Sequence, residues 1–202
     1  MRTRRRAARR VWQASCLGLG AAAVAVTASG VVVEDASATT TATADISGST
    51  LTVTPPSSLS WSDTLDGIDQ SVVDTVPTTV IDSTGSGSGW NLTISTTSLT
   101  SSSPSATFGG SLLVDGSSSS STSSTAPSAS CGTGSTCTLP TDSGVTYPLT
   151  VPTSGSAKFY SSASGTGLGT IDLATDFWLD IPANTIAATY SGTVTVAVST
   201  GP

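Results

Sequence analysis

The sequence predicts an all-β fold: an antiparallel β-sandwich of about eight to ten short strands, preceded by a signal peptide. Three observations carry this. From residue 39 onward the chain is rich in Ser, Thr, Val and Gly and nearly free of Lys, Arg and Glu, so it has strand formers and lacks helix formers. Turn residues recur roughly every ten to fifteen positions, the punctuation of a sandwich or barrel. Within the runs between them apolar and polar residues alternate, which gives each strand one buried and one wet face.

The elements follow in order. "STLTVTPP" is a first strand, stopped by two prolines. "SVVDTV" and "TTVID" come next, separated by Pro77. In "GWNLTIST" the residues Trp90, Leu92 and Ile94 face one way and Asn91, Thr93 and Ser95 the other. "SLLVDG" is short. The stretch from Gly116 to Ser130 is dominated by Ser and Thr; it offers nothing to bury and reads as a disordered insertion. "VTYPLTVP" carries prolines on one face, which suggests an edge or a bulge. "AKFYSSA" and "GTIDLATDFWLDIP" precede the clearest run, "YSGTVTVAVST", in which Tyr190, Val194, Val196 and Val198 share a face.

Charge is divided between the two ends. All six arginines precede residue 11, and Lys158 is the single basic side chain after them, against eleven Asp beyond residue 38. Such a surface repels phosphate backbones and excludes nucleic acid as a partner. It suits neutral or cationic partners such as wall glycans. Residues 1–38 read as a secretory signal: a positive start, the apolar run "CLGLGAAAVAVTASGVVV", and the small-x-small site Ala36-Ser37-Ala38. That run just reaches spanning length, and cleavage removes it, so no membrane span is expected in the mature chain, residues 39–202. In an exported chain the pair Cys131 and Cys137 reads as a disulfide.

Candidate chemistry is sparse. The chain has no His, which leaves a serine nucleophile without its usual base and makes a zinc site improbable. Asp63, Asp66 and Asp69 lack the alternation and distal Glu of a calcium loop and read as solvated turn carboxylates. No catalytic residue, metal or cofactor is expected. Trp90, behind the flexible turn "DSTGSGSG", reads first as a core anchor and second as an aromatic platform for a sugar ring. In "FWLDI", if Phe177, Leu179 and Ile181 face the core, Trp178 and Asp180 point outward together. An exposed indole beside a carboxylate suits a pyranose; coverage of Trp178 by a loop is the alternative.

The stretch "DSTGSGSGWNLTIS", with Gly89, Trp90, Asn91 and Leu92, resembles the first signature of WxL domains, cell-surface domains of Gram-positive bacteria. The ending "LDIPANTIAATYSGTVTVAVSTGP" is similar to that family's last segment, with Thr195-Val196-Ala197-Val198 where the family has its second Trp-x-Leu. The resemblance spans most of residues 45–202. It implies a β-rich domain that attaches non-covalently to peptidoglycan, often beside partner surface proteins. The expectation is therefore a secreted, non-enzymatic protein of the cell wall or cell surface, with Trp90, Leu92, Trp178 and Asp180 as candidate binding residues. Two other readings stand beside it: a structural or adhesive subunit that pairs with other surface proteins through strand edges, and a stand-alone carbohydrate-binding module.

Overall fold

A computed structural model describes residues 41–141 and 144–202. The expected signal segment, its cleavage site and Cys16 lie outside the described residues. The chain divides into Met1–Thr43, of which only residues 41–43 are described and carry no regular structure, and the compact unit Ala44–Pro202. Among the described residues no helix is long and apolar enough to cross a membrane.

The compact unit is all-β, as the sequence predicts. Its strands are β1 (Leu51–Thr54), β2 (Gln70–Asp82), β3 (Trp90–Thr96), β4 (Thr100–Ser102), β5 (Ser105–Thr107), β6 (Ser111–Asp115), β7 (Ser128–Cys131), β8 (Leu149–Thr150), β9 (Ala157–Ser162), β10 (Gly169–Ile181) and β11 (Val194–Thr200). All pairings are antiparallel. A six-stranded sheet has the order β1-β2-β10-β6-β8, with β7 also on β10. A three-stranded sheet has the order β11-β3-β9, and β4 and β5 form a separate hairpin. The two larger sheets curl toward each other as a half-barrel.

Alternation explains the core. On β3, Trp90, Leu92 and Ile94 are fully buried, and from the facing sheet Val80, Val114, Ile171, Leu173 and Phe177 meet them. Burying side chains of this size from both sheets is the main force holding the sheets together. The final strand pairs with the tryptophan strand, with Leu92 opposite Val198, Ile94 opposite Val196 and Thr96 opposite Val194. The first and last signatures are thus neighbours in one sheet.

Three expectations need correction. The two runs on either side of Pro77 are one strand of 13 residues. Pro77 lies beyond Thr79, the last residue of β2 to face β1, so the strand has an open side there to tolerate the missing N–H. The hairpin β4–β5 was not expected, because "TSSSPSAT" carries no apolar alternation. Residues 116–130 are not a disordered insertion. Ser128–Cys131 is a strand paired with Ala174 to Ile171, and residues 116–127 form a loop with its own bonds, including the Gly116 amide to Thr125 O at 2.9 Å. Backbone and hydroxyl hydrogen bonds order a segment that has almost no side chain to bury.

Candidate functional site

The turn before β3 is built to deliver Trp90. Asp82, 4% exposed, accepts hydrogen bonds from the Thr84 amide (3.1 Å) and hydroxyl (2.7 Å), which starts the turn. Gly89 then takes φ +74°, and a Cβ there would lie 2.3 Å from Ser162 O, so no other residue fits. The Trp90 indole N–H donates to Gly167 O at 3.0 Å, and the ring stacks on Tyr160 at 6.1 Å between centroids. Trp90 and Leu92 are 0% exposed. Both belong to the core, so their assignment as binding residues is corrected. Thr200 is the residue of the final strand opposite Trp90, and the ring stacks on Tyr160 of β9. Tyr190 lies outside β11 and makes an edge contact with Phe108 instead.

Trp178 and Asp180 do share the outer face of the six-stranded sheet, as expected, but Trp178 is not an open platform. It is 6% exposed, and its indole N–H donates to Ser117 O (3.1 Å) and Asp115 Oδ1 (3.2 Å) under the loop 116–127. Asp180 accepts from the Ser71 hydroxyl at 2.5 Å. The same pairing recurs along the sheet: the Thr75 hydroxyl donates to Asp176, and Thr79 donates to Asp172 at 2.7 Å, each across the β2–β10 register. A hydroxyl at each step holds each carboxylate without a cation. On this face burial pushes the Asp115 carboxyl up from its ordinary value; bonds from the Ser117 amide and Trp178 oppose that, and nearby Asp176 adds to it.

Cys131 and Cys137 are bonded, as the sequence predicts. The bridge closes a small loop at the end of β7, beside Gly169. Among the described residues no group of three or more His, Cys, Asp or Glu is placed to hold a metal ion.

Sequence reasoning missed one large concavity among the described residues. It is a cleft of about 990 Å³ at the end of the half-barrel where β10 finishes and β11 begins. Phe177, Leu179 and Leu112 contribute from the large sheet, Val194 and Val196 from the small one, and the Phe108–Tyr190 pair stands at its side. The rim comes from two loops, 55–65 and 185–193, that are rich in Ser and Thr and carry one carboxylate, Asp63. The first loop is pinned by the Trp61 indole N–H, which donates to Phe177 O at 2.9 Å, and by the Ser60 amide to Asp74 at 2.8 Å. The second is pinned by the Tyr190 hydroxyl to Ile186 O at 2.8 Å. An apolar floor under a hydroxyl-lined rim with one carboxylate can take a ligand with both CH surfaces and hydroxyl groups.

Comparison with known proteins finds no matching family model, no matching curated protein and no matching solved structure.

Proposed function

We propose that this chain is an exported, non-enzymatic surface protein that holds cell-wall glycan non-covalently. The observation that carries the reading is the cleft between the ends of β10 and β11. Its floor is apolar, its side is an aromatic pair, and its rim presents hydroxyls with a single carboxylate. A pyranose offers the matching pattern of a CH face bordered by hydroxyls, and aromatic edges and faces add to such packing. The acidic, Lys-poor surface after residue 38 favours a neutral or amino-bearing polymer over a phosphate-rich one. The resemblance of the Gly89–Leu92 and C-terminal segments to WxL domains points the same way.

The test is co-sedimentation of residues 39–202 with purified peptidoglycan, beside cellulose as a neutral control. We expect retention on peptidoglycan, reduced up to about tenfold by Tyr190→Ala, a variant whose fold is checked by its melting temperature. Tenfold is the effect of losing about 1.4 kcal/mol, the upper range for one aromatic contact. Equal retention of variant and parent would remove the cleft from the reading. Failure of the parent to sediment with any glycan would favour the adhesive alternative, for which β9 and β11, the outer strands of the small sheet, are the available edges.

A further inference from the structure

The outer face of the six-stranded sheet buries an acidic group that the proposed cleft does not use. Asp115 ends β6 and is 0% exposed. Its Oδ1 is fully engaged, accepting from the Ser117 amide (3.0 Å) and the Trp178 indole (3.2 Å). Its Oδ2 is buried and has no hydrogen-bond partner. Directly across the register stands Asp176, 5% exposed.

We propose that Asp115 carries a proton on Oδ2 in the folded protein, and that losing this proton loosens the loop 116–127 over Trp178, because the bare buried carboxylate then gains by reaching water. An ionised carboxylate with one bare oxygen, buried beside a second carboxylate, costs far more than the neutral acid. No compensating cation is within reach. The titratable groups on this face are Asp172, Asp176 and Asp180, all on β10 and all acidic. Asp172, Asp176 and Asp180 each have a hydroxyl partner on β2, which leaves Asp115 as the one that gains by protonation. The faces of β2, β7 and β8 that pack here add Ser, Thr, Val and Pro, and the covering loop contributes no charged residue. Lys158 lies on β9 of the other sheet. A divalent cation is the rival occupant. It is disfavoured because the Trp178 N–H, a donor, already fills one side of Asp115 and because Asp176 is bonded to Thr75.

The consequence for pH has a definite sign. The raised Asp115 value in the fold means that its stabilising effect is complete below the ordinary value of 3.8 and is lost as pH rises through the folded value. Raising the pH through that folded value therefore loosens the loop and bares Trp178 beside Asp180. This inference is independent of the cleft.

The experiment follows the side-chain carboxyl carbons of residues 39–202 by NMR from pH 3 to 9, with Asp115→Asn identifying the Asp115 resonance. We expect one carboxyl, absent from the variant, to titrate above all others. Amide exchange in residues 116–127, corrected for intrinsic rate, should speed up at least tenfold as that group ionises, and Asp115→Asn should abolish the change. At pH 8 the Asn variant should melt about 2–4 °C above the parent, with Asp172→Asn as the control for general charge relief. An Asp115 carboxyl that ionises with the bulk of the others would overturn the proposal. So would calcium chloride that protects the loop in the parent at pH 8 and not in Asp115→Asn, since the site would then hold a cation.

Discussion

Trp90 and Trp178 are both buried, both lie on alternating strands and both donate an indole N–H to a backbone carbonyl. They differ in what covers them. Trp90 lies between two sheets, stacked on Tyr160, with Gly167 leaving room for its indole nitrogen. Trp178 lies on the opposite face of its sheet, under a loop of Ser and Thr that accepts its indole N–H at Ser117 O and is tied to β2 by the Ser121–Ser71 hydroxyl bond. The first is held by packing, which has no substitute once removed. The second is held by a lid, which can lift without unfolding the sheet beneath it.

The largest effect expected from this contrast is on the packed side. Trp90→Ala should cost about 3–5 kcal/mol, the range for deleting a large buried aromatic, read by urea denaturation. A loss below about 1 kcal/mol would put Trp90 on the lid side of the comparison, since surface changes fall in that range. Gly167→Ala comes next. It forces a side chain at φ +75° and places Cβ 2.5 Å from the Trp90 indole nitrogen. Backbone strain alone costs about 1–3 kcal/mol, and the clash adds to it; thermal melting checks the total. Replacing both Cys131 and Cys137 by Ser should cost about 2 kcal/mol, the chain-entropy value for so short a loop. It should also speed amide exchange at Ser128–Cys131 more than at β3, because the bridge anchors the strand that follows the lid.

The smallest expected effect is the one that sharpens the contrast most. Trp178→Phe keeps a buried ring and removes the donor to Ser117 and Asp115. It should cost about 1–2 kcal/mol in global stability, the value of a hydrogen bond to a buried acceptor. Limited proteolysis should nevertheless cut within residues 116–127 several times faster than in the parent. A variant in which melting drops and loop cleavage does not change would show that Trp178 is a core residue like Trp90.

The same contrast marks what the sequence makes legible. Alternation in "GWNLTIST" correctly places the buried face of β3, because burial of one face leaves a period-two record. "FWLDI" correctly puts Phe177 inward and Trp178 and Asp180 together on the other face. What covers Trp178 is not recorded that way. Residues 116–127 cover it with backbone carbonyls and hydroxyls, and those interactions carry no periodic signature. The cleft was also illegible, since it is assembled from loops 55–65 and 185–193, distant in sequence and individually unremarkable runs of Ser, Thr and Pro. The glycines were the missed clue nearest to hand. Gly167 and Gly169, like Gly89, sit where a methyl group would strike a neighbour; Gly167 carries the carbonyl that Trp90 bonds and Gly169 begins β10.

One feature of the large sheet reaches beyond its stability. Its two longest strands, β2 and β10, pair along all 13 residues of each, with Gln70 against Ile181 and Asp82 against Gly169. The Ser71–Asp180 contact joins residues 109 apart in the chain. Nearly the whole polypeptide must exist before the central ladder can close, and topology of this kind makes folding slow, on the order of milliseconds to seconds. A chain emerging from the ribosome N-terminus first carries β2 single, and the sheet zips shut only after β10 has emerged.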